Sequence, residues 1–195
     1  MKYVIRLVLV AIIGWLGYAL YESIMEPVRF KRVKKVRYAA VIERMDDIRK
    51  SQIAFKEVNK RFSSSFDELI PFLDTAQFTI TQRRDTTVVE YDKVYREKVQ
   101  VEKTLIDTLG YASIKDSLFK ASFDLKQLRY IPETENKEFV LKSSKLRKVG
   151  TTIQVMEVTA KKEVVLHGQN ERLIKNTAKD LILGSLTEAH LNGNW

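Results

Sequence analysis

Residues 7–21 form an unbroken apolar run, and the 23 residues 3–25 carry only two charges, Arg6 and Glu22. No other stretch constrains the chain as strongly. A helix needs about 20 mostly apolar residues to cross the roughly 30 Å hydrocarbon core of a bilayer, and this segment is long enough to do so with some tilt. Trp15, Tyr18 and Tyr21 lie toward its C-terminal side, where Tyr21 suits the interfacial aromatic belt; Arg6 is close enough to the start to snorkel into head groups. The reading is a membrane anchor over residues 1–27 and a water-soluble domain over 28–195. A cleaved secretory signal is the alternative, because Lys2 and Arg6 precede an apolar middle and Gly17-Tyr18-Ala19 is small-x-small. Apolar character continues past that site through Leu20, Tyr21, Ile24 and Met25, which favours retention.

The residues after the anchor are enough for one domain with a core of its own. The chain has no cysteine, which excludes disulfides, thiol nucleophiles and Cys-ligated zinc. His167 and His190 stand far apart in sequence with no H-E-x-x-H spacing around either, so no metal site is expected from them. Net charge is +9, from 34 basic and 25 acidic residues. The excess is concentrated: Arg29, Lys31, Arg32, Lys34, Lys35 and Arg37 follow the apolar run directly. These six are candidate contacts to lipid or a protein partner. So are Gly14 and Gly17, which make one face of the span shallow enough for another helix to approach. Taken alone, the positive-inside rule places a domain that follows such a cluster in the cytoplasm, with the basic run on anionic head groups.

Along the chain, residues 28–59 read as a helix continuing the span, with a kink expected at Pro27. Tyr38, Val41, Met45, Ile48, Gln52, Phe55 and Val58 step by three or four and draw one core-facing stripe, leaving Arg44, Asp47 and Lys56 to solvent. Ser65-Phe-Asp-Glu68 is a capping box opening a short second helix through Leu69, Ile70 and Phe72. After Asp74 the period changes to two. Residues 78–81 and 87–91 read as strands around a turn at Arg83-Arg84-Asp85-Thr86, and 98–102 as a third strand running into Leu105 and Ile106. A helical turn is expected over 113–119. Hairpins are expected for 125–131 with 138–142 and for 153–158 with 163–166, an exposed loop over 142–150, a last helix over 171–183, and a turn at Asn192-Gly193. The fold class is α+β, helix first and antiparallel strands after.

Catalytic patterns are missing from the sequence: there is no G-x-S-x-G, P-loop or G-x-G-x-x-G, and the seven glycines never group. Asp46 and Asp47 are neighbours on a helix, so their side chains diverge by about 100° and suit a solvated surface better than a shared acid/base site. Glu133, Glu135 and Asn136 offer oxygens to Ca²⁺ at an unspecific spacing, with Lys137 beside them. The basic turns Arg83-Arg84, Lys142 to Lys148 and Lys161-Lys162 lack interleaved aromatics, so nucleic acid is not the expected partner. No cofactor, metal or small-molecule substrate is expected, and no enzyme activity.

Val10-Ala-Ile-Ile-Gly14, the long helix, Ser51-Gln-Ile-Ala-Phe55 and Asn59-Lys-Arg-Phe62-Ser-Ser-Ser-Phe66-Asp-Glu-Leu69 together resemble type IV pilins and type II secretion pseudopilins over residues 4–73. The resemblance implies a hydrophobic N-terminal helix running into an amphipathic half, then a short helix and an antiparallel sheet. The sequence departs from that family at its processing site, with no glycine before residue 14 and with Arg6 near the place of the family's glutamate. The resemblance therefore implies an unprocessed, pilin-like, single-pass subunit in the cytoplasmic membrane. Its domain would be periplasmic, and its partners other membrane proteins of an envelope machine for secretion, motility or pilus biogenesis. The competing expectation is a cytoplasm-facing binding module that uses its basic segments on anionic lipid or nucleic acid.

Overall fold

The structure, a computed structural model, describes residues 2–92, 97–120, 122–148 and 150–195. It is α+β, and the first element dominates it. Helix α1 runs over Lys2–Asn59, 58 residues, and passes through Pro27 without a break in its helical backbone. Proline lacks the N–H for one intrahelical bond, which a long helix tolerates when both flanking segments are independently helical. The first half is helical because its residues are uniformly apolar. The second is helical because its apolar positions recur at the helical period: Val41, Met45, Ile48, Gln52 and Phe55 are all buried, joined by Phe30, Ser51 and Ala54.

The stripe ends sooner than its spacing implies. Val58 is 51% exposed, because the last turn before Asn59 runs past the packed part of the helix. Arg44, Asp47 and Lys56, expected in solvent, are half-buried. Burial holds the Arg44 guanidinium below its usual value, with Asp47 and Glu43 pulling the other way.

The chain divides into two compact units, Met1–Phe66 with Lys126–Trp195, and Asp67–Leu125. In the first, a three-stranded antiparallel sheet has the order β3-β4-β5, with β3 over Val140–Lys148, β4 over Thr151–Ala160 and β5 over Leu181–Gly184. Helix α1 touches β5 and the one-turn helix α4, Lys162–Val165. The core residues of β4 and β5 include Val155, Met156, Val158, Ala160, Leu181 and Leu183.

Several expected elements are replaced here, each for a local reason. Residues 142–148 belong to β3, and Gly150 to a turn after it, instead of a loop; Lys142, Lys145 and Lys148 are among the exposed residues of an edge strand, where lysine discourages further pairing. Residues 125–131 and 138–142 approach through one bridge, Tyr130 to Glu138, while Leu125–Leu128 is a 3-10 turn and β3 pairs with β4. Residues 163–165 lie in the one-turn helix α4 instead of a strand, with Leu166 at its C-cap: the Lys162 amide, in its first turn, donates to Asp180 Oδ1 at 2.8 Å, and Val165 and Leu166 are buried. The last helix, α5, covers only Glu171–Thr177, starting where the Asn170 side chain accepts the Arg172 amide at 2.9 Å. Leu181 to Gly184 then leaves the helical path to pair with Glu157 to Ala160. At its end Gly184 has φ +76, and a Cβ there would collide with the Met156 carbonyl oxygen. No turn forms at Asn192-Gly193; Gly193 instead bridges antiparallel to Leu183.

The second unit holds α2, Phe66–Thr75, and a long hairpin. Strand β1, Gln77–Asp92, pairs antiparallel with β2, Glu97–Ser113. Helix α2 is longer than expected and keeps Pro71 inside it. No turn forms at residues 83–86, and the strands read there as two are one. Arg83, Arg84 and Asp85 face Ile106, Leu105 and Thr104 across the ladder, where Thr104 Oγ1 donates to Asp85 Oδ1 at 2.8 Å. A polar tetrapeptide imitates a turn whenever both faces of a ribbon are wet. The register slips between Ile80 and Thr81, where Leu109 is the extra residue on β2. After β2, Ser113 caps the one-turn helix α3, Ile114–Leu118, accepting the Asp116 amide at 3.4 Å.

A candidate membrane-proximal interface

The N-terminal part of α1 is the chain's one candidate membrane span among the described residues: an 18-residue window reaches a mean hydropathy of 2.0 with none of it buried. A core helix of that composition would be covered. Here Leu7, Val10, Ile13, Trp15, Tyr18 and Leu20 all face outward, and Gly14 and Gly17 have open space where a side chain would stand. Long apolar side chains left this bare need a bilayer or another protein around them.

Contacts to the rest of the domain begin at Glu26, just after the apolar residues 3–25. Asn170 Nδ2 donates to Glu26 Oε1 at 2.7 Å, and Phe30, one turn further on, is already buried at 3% exposure. Lys34 Nζ donates to the Thr177 carbonyl at 2.7 Å, and the Tyr38 hydroxyl donates to the Lys179 carbonyl at 2.6 Å. Arg37 does most: its Nη1 donates to the carbonyls of Val165 at 3.1 Å and His167 at 2.9 Å, while its Nε lies 3.5 Å from Glu133 Oε2. These carbonyls lie at the ends of α4 and α5, where the last residues of a helix have no intrahelical donor. Cations on α1 supply the missing bonds, so the juxtamembrane helix and residues 163–180 are fastened along about three helical turns.

The six cations following the span therefore divide. Lys34 and Arg37 point inward to carbonyls, and Arg29 pairs with Glu22 at 3.3 Å. Lys31, Arg32 and Lys35 are exposed, Arg32 and Lys35 on the far side of α1 and Lys31 at its flank. Burial and the Asp180 carboxylate push the Tyr38 phenol up to about 12 from 10.0, partly offset by its bond to Lys179.

The remaining candidates are placed as follows. Asp46 pairs with Arg49 at 2.9 Å and Asp47 with Lys50 at 3.4 Å, so the two carboxylates serve separate i,i+3 ion pairs along α1. Glu133 is held by Arg37, and among the described residues no three His, Cys, Asp or Glu side chains gather as metal ligands would. His167 Nδ1 lies 3.3 Å from the Val164 carbonyl, and His190 Nε2 lies 3.2 Å from Glu188 Oε2. Beside α5 an open cleft of about 600 Å³ is lined by Glu163, His167, Glu171, Ile174 and Lys175, with Glu171 and Lys175 paired at 3.7 Å.

Comparison with family models, with curated proteins and with solved structures finds no match for this chain. The layout nevertheless fits a pilin-like arrangement, a long apolar N-terminal helix packed with a small antiparallel sheet. Three parts of the foot escaped sequence reasoning: the fastening role of Lys34 and Arg37, the Tyr38 hydroxyl, and Asn170. Only the last carried a local signal, an Asn before Glu171 at a helix start.

Proposed function

We propose that the chain is a non-enzymatic, single-pass membrane subunit whose pilin-like domain stands in the periplasm and docks other membrane proteins of an envelope machine. Secretion, motility and pilus biogenesis are the machines that use such subunits. One observation carries the reading: a bare apolar helix continues unbroken into the helix around which the domain is built, so anchor and core are a single rod. Such a rod couples the domain mechanically to the bilayer, as a structural subunit requires. The departure from the pilin pattern at Arg6, near the place of the family's glutamate, supports an accessory subunit over a filament former.

A second reading is favoured by the six cations after the span: a cytoplasm-facing module that uses Lys31, Arg32 and Lys35 on anionic lipid. An alkaline phosphatase fused after Trp195 separates the two. Activity is expected; an inactive phosphatase beside an active cytoplasmic reporter at the same position would give the case to the second reading. Affinity purification from native membranes is expected to recover a small set of other membrane proteins. A filament formed by the purified chain alone would refute the accessory role.

A further inference from the structure

We propose that the foot of the domain is an anionic-phospholipid collar, made by Lys31, Arg32 and Lys35 on α1 and Arg172 at the start of α5. It rests on the reading that residues 3–25 cross a bilayer, and it holds whichever side the domain occupies. Height along the helix comes first. At 1.5 Å per residue, Lys31 stands about 9 Å and Lys35 about 15 Å beyond Met25, against a head-group layer of roughly 5 to 7 Å. Helical side chains lean toward the N-terminus, here back toward the bilayer, so the long basic side chains bring their charges down to the phosphates or within one screening length of them.

Availability comes second. Of the basic cluster, Lys34 and Arg37 are committed to carbonyls and Arg29 to Glu22, which leaves Lys31, Arg32 and Lys35, all exposed: Arg32 and Lys35 lie on the side of the helix away from buried Phe30, and Lys31 lies about 100° round from it. Arg172 is exposed two residues after Asn170, whose bond to Glu26 sets this part of the domain level with the exit of the span. Of the nearby acids, Glu22 pairs with Arg29 and Glu171 with Lys175, while Glu26 accepts from the uncharged Asn170 amide. The foot thus presents four exposed cations, with two of its three nearby acids already ion-paired, against a surface that the span forces it to meet. Phosphatidylglycerol-type head groups match it in sign and in the bidentate geometry that arginine prefers.

The test uses the full chain in nanodiscs of phosphatidylcholine alone or of phosphatidylcholine with phosphatidylglycerol, and reads acylation of individual lysines by a water-soluble ester. With the anionic lipid, Lys31 and Lys35 are expected to react several-fold more slowly, because the phosphates cover the amines and hold them protonated; added salt should restore the rates. Lys60, just past the far end of α1, should react equally in both discs. A variant carrying Lys31→Gln, Arg32→Gln and Lys35→Gln should lose most of its preference for anionic discs, at about fivefold per cation. Equal Lys31 and Lys35 rates in the two discs, in protein that resists carbonate extraction, would overturn the collar and leave the span standing. Protein released by carbonate would overturn both.

Discussion

Gln52 offers the sharpest test of how this domain is held together. It lies in the buried stripe of α1 with no exposed surface, and its amide reads the backbone of Ser63, also fully buried. Oε1 accepts the Ser63 N–H at 3.0 Å and Nε2 donates to the Ser63 carbonyl at 3.3 Å. One side chain thus completes a peptide-like pair with the segment that leaves the helix. Gln52→Ala would strand one buried donor and one buried acceptor at about 1 to 3 kcal/mol each, so a total near 3 kcal/mol is expected, roughly a 6 to 12 °C fall in Tm for a chain of this size. Gln52→Glu sharpens the argument. A protonated carboxyl can still accept and donate, whereas the carboxylate cannot donate and is buried, so this variant should be most stable at low pH and lose stability as pH rises past the ordinary glutamate range. Thermal melts of the full chain in detergent, followed by circular dichroism at several pH values, measure both. If Gln52→Ala melts within a degree of the parent, or Gln52→Glu shows no added pH dependence, the clamp is not what fixes the segment after α1.

Phe55, 2% exposed, should cost about 3 to 5 kcal/mol on change to Ala, whereas Lys56→Ala should cost under about 1 kcal/mol in the same melts. Tyr38 favours its neutral form in the folded chain, so its contribution is complete below pH 10 and is lost as pH rises to about 12. Screening at a half-buried ring limits that loss to about 1 kcal/mol, and Tyr38→Phe should abolish it in pH-dependent denaturation. Gly184→Ala should destabilise by about 1 to 3 kcal/mol in urea titrations, since it meets both a positive φ and the Met156 carbonyl. Changing Lys34 and Arg37 to Gln should cost about 2 to 4 kcal/mol in melts, whereas the same change at Lys31 and Lys35 should cost under about 0.5.

The helical half of the fold was legible because it is long and periodic: two apolar patterns, one uniform and one stepping by three and four, end to end, specify α1 over 58 residues. The C-terminal half was legible in class and not in detail. Val164-Val165-Leu166 and Leu181-Ile182-Leu183 are apolar runs of the same kind, yet one is a helical turn and the other a strand. What separates them is distant: Asp180 caps the first, and β4 pairs with the second. Arg83-Arg84-Asp85-Thr86 misled for the opposite reason, because its strand is determined by its partners on β2 and not by its own composition. At the foot, composition located the charges. It could not say which of them face carbonyls, since that depends on where residues 163–180 return to α1.

That return bears on why so many cations follow the span. A charge count treats the six alike, because the machinery that orients a membrane helix reads the chain before it folds. The folded domain does not treat them alike. At and just past the ends of α4 and α5 the carbonyls of Val165, His167 and Thr177 face donors on α1; Lys34 and Arg37 satisfy them with charge-assisted bonds, which are stronger than those a neutral side chain would make. Part of the cluster thus has a reason to exist that is independent of topology. The orientation rule still counts all six, because it acts before those carbonyls exist; what the fold explains is why two of the six are there. The cations that remain are the ones placed to meet lipid on either side.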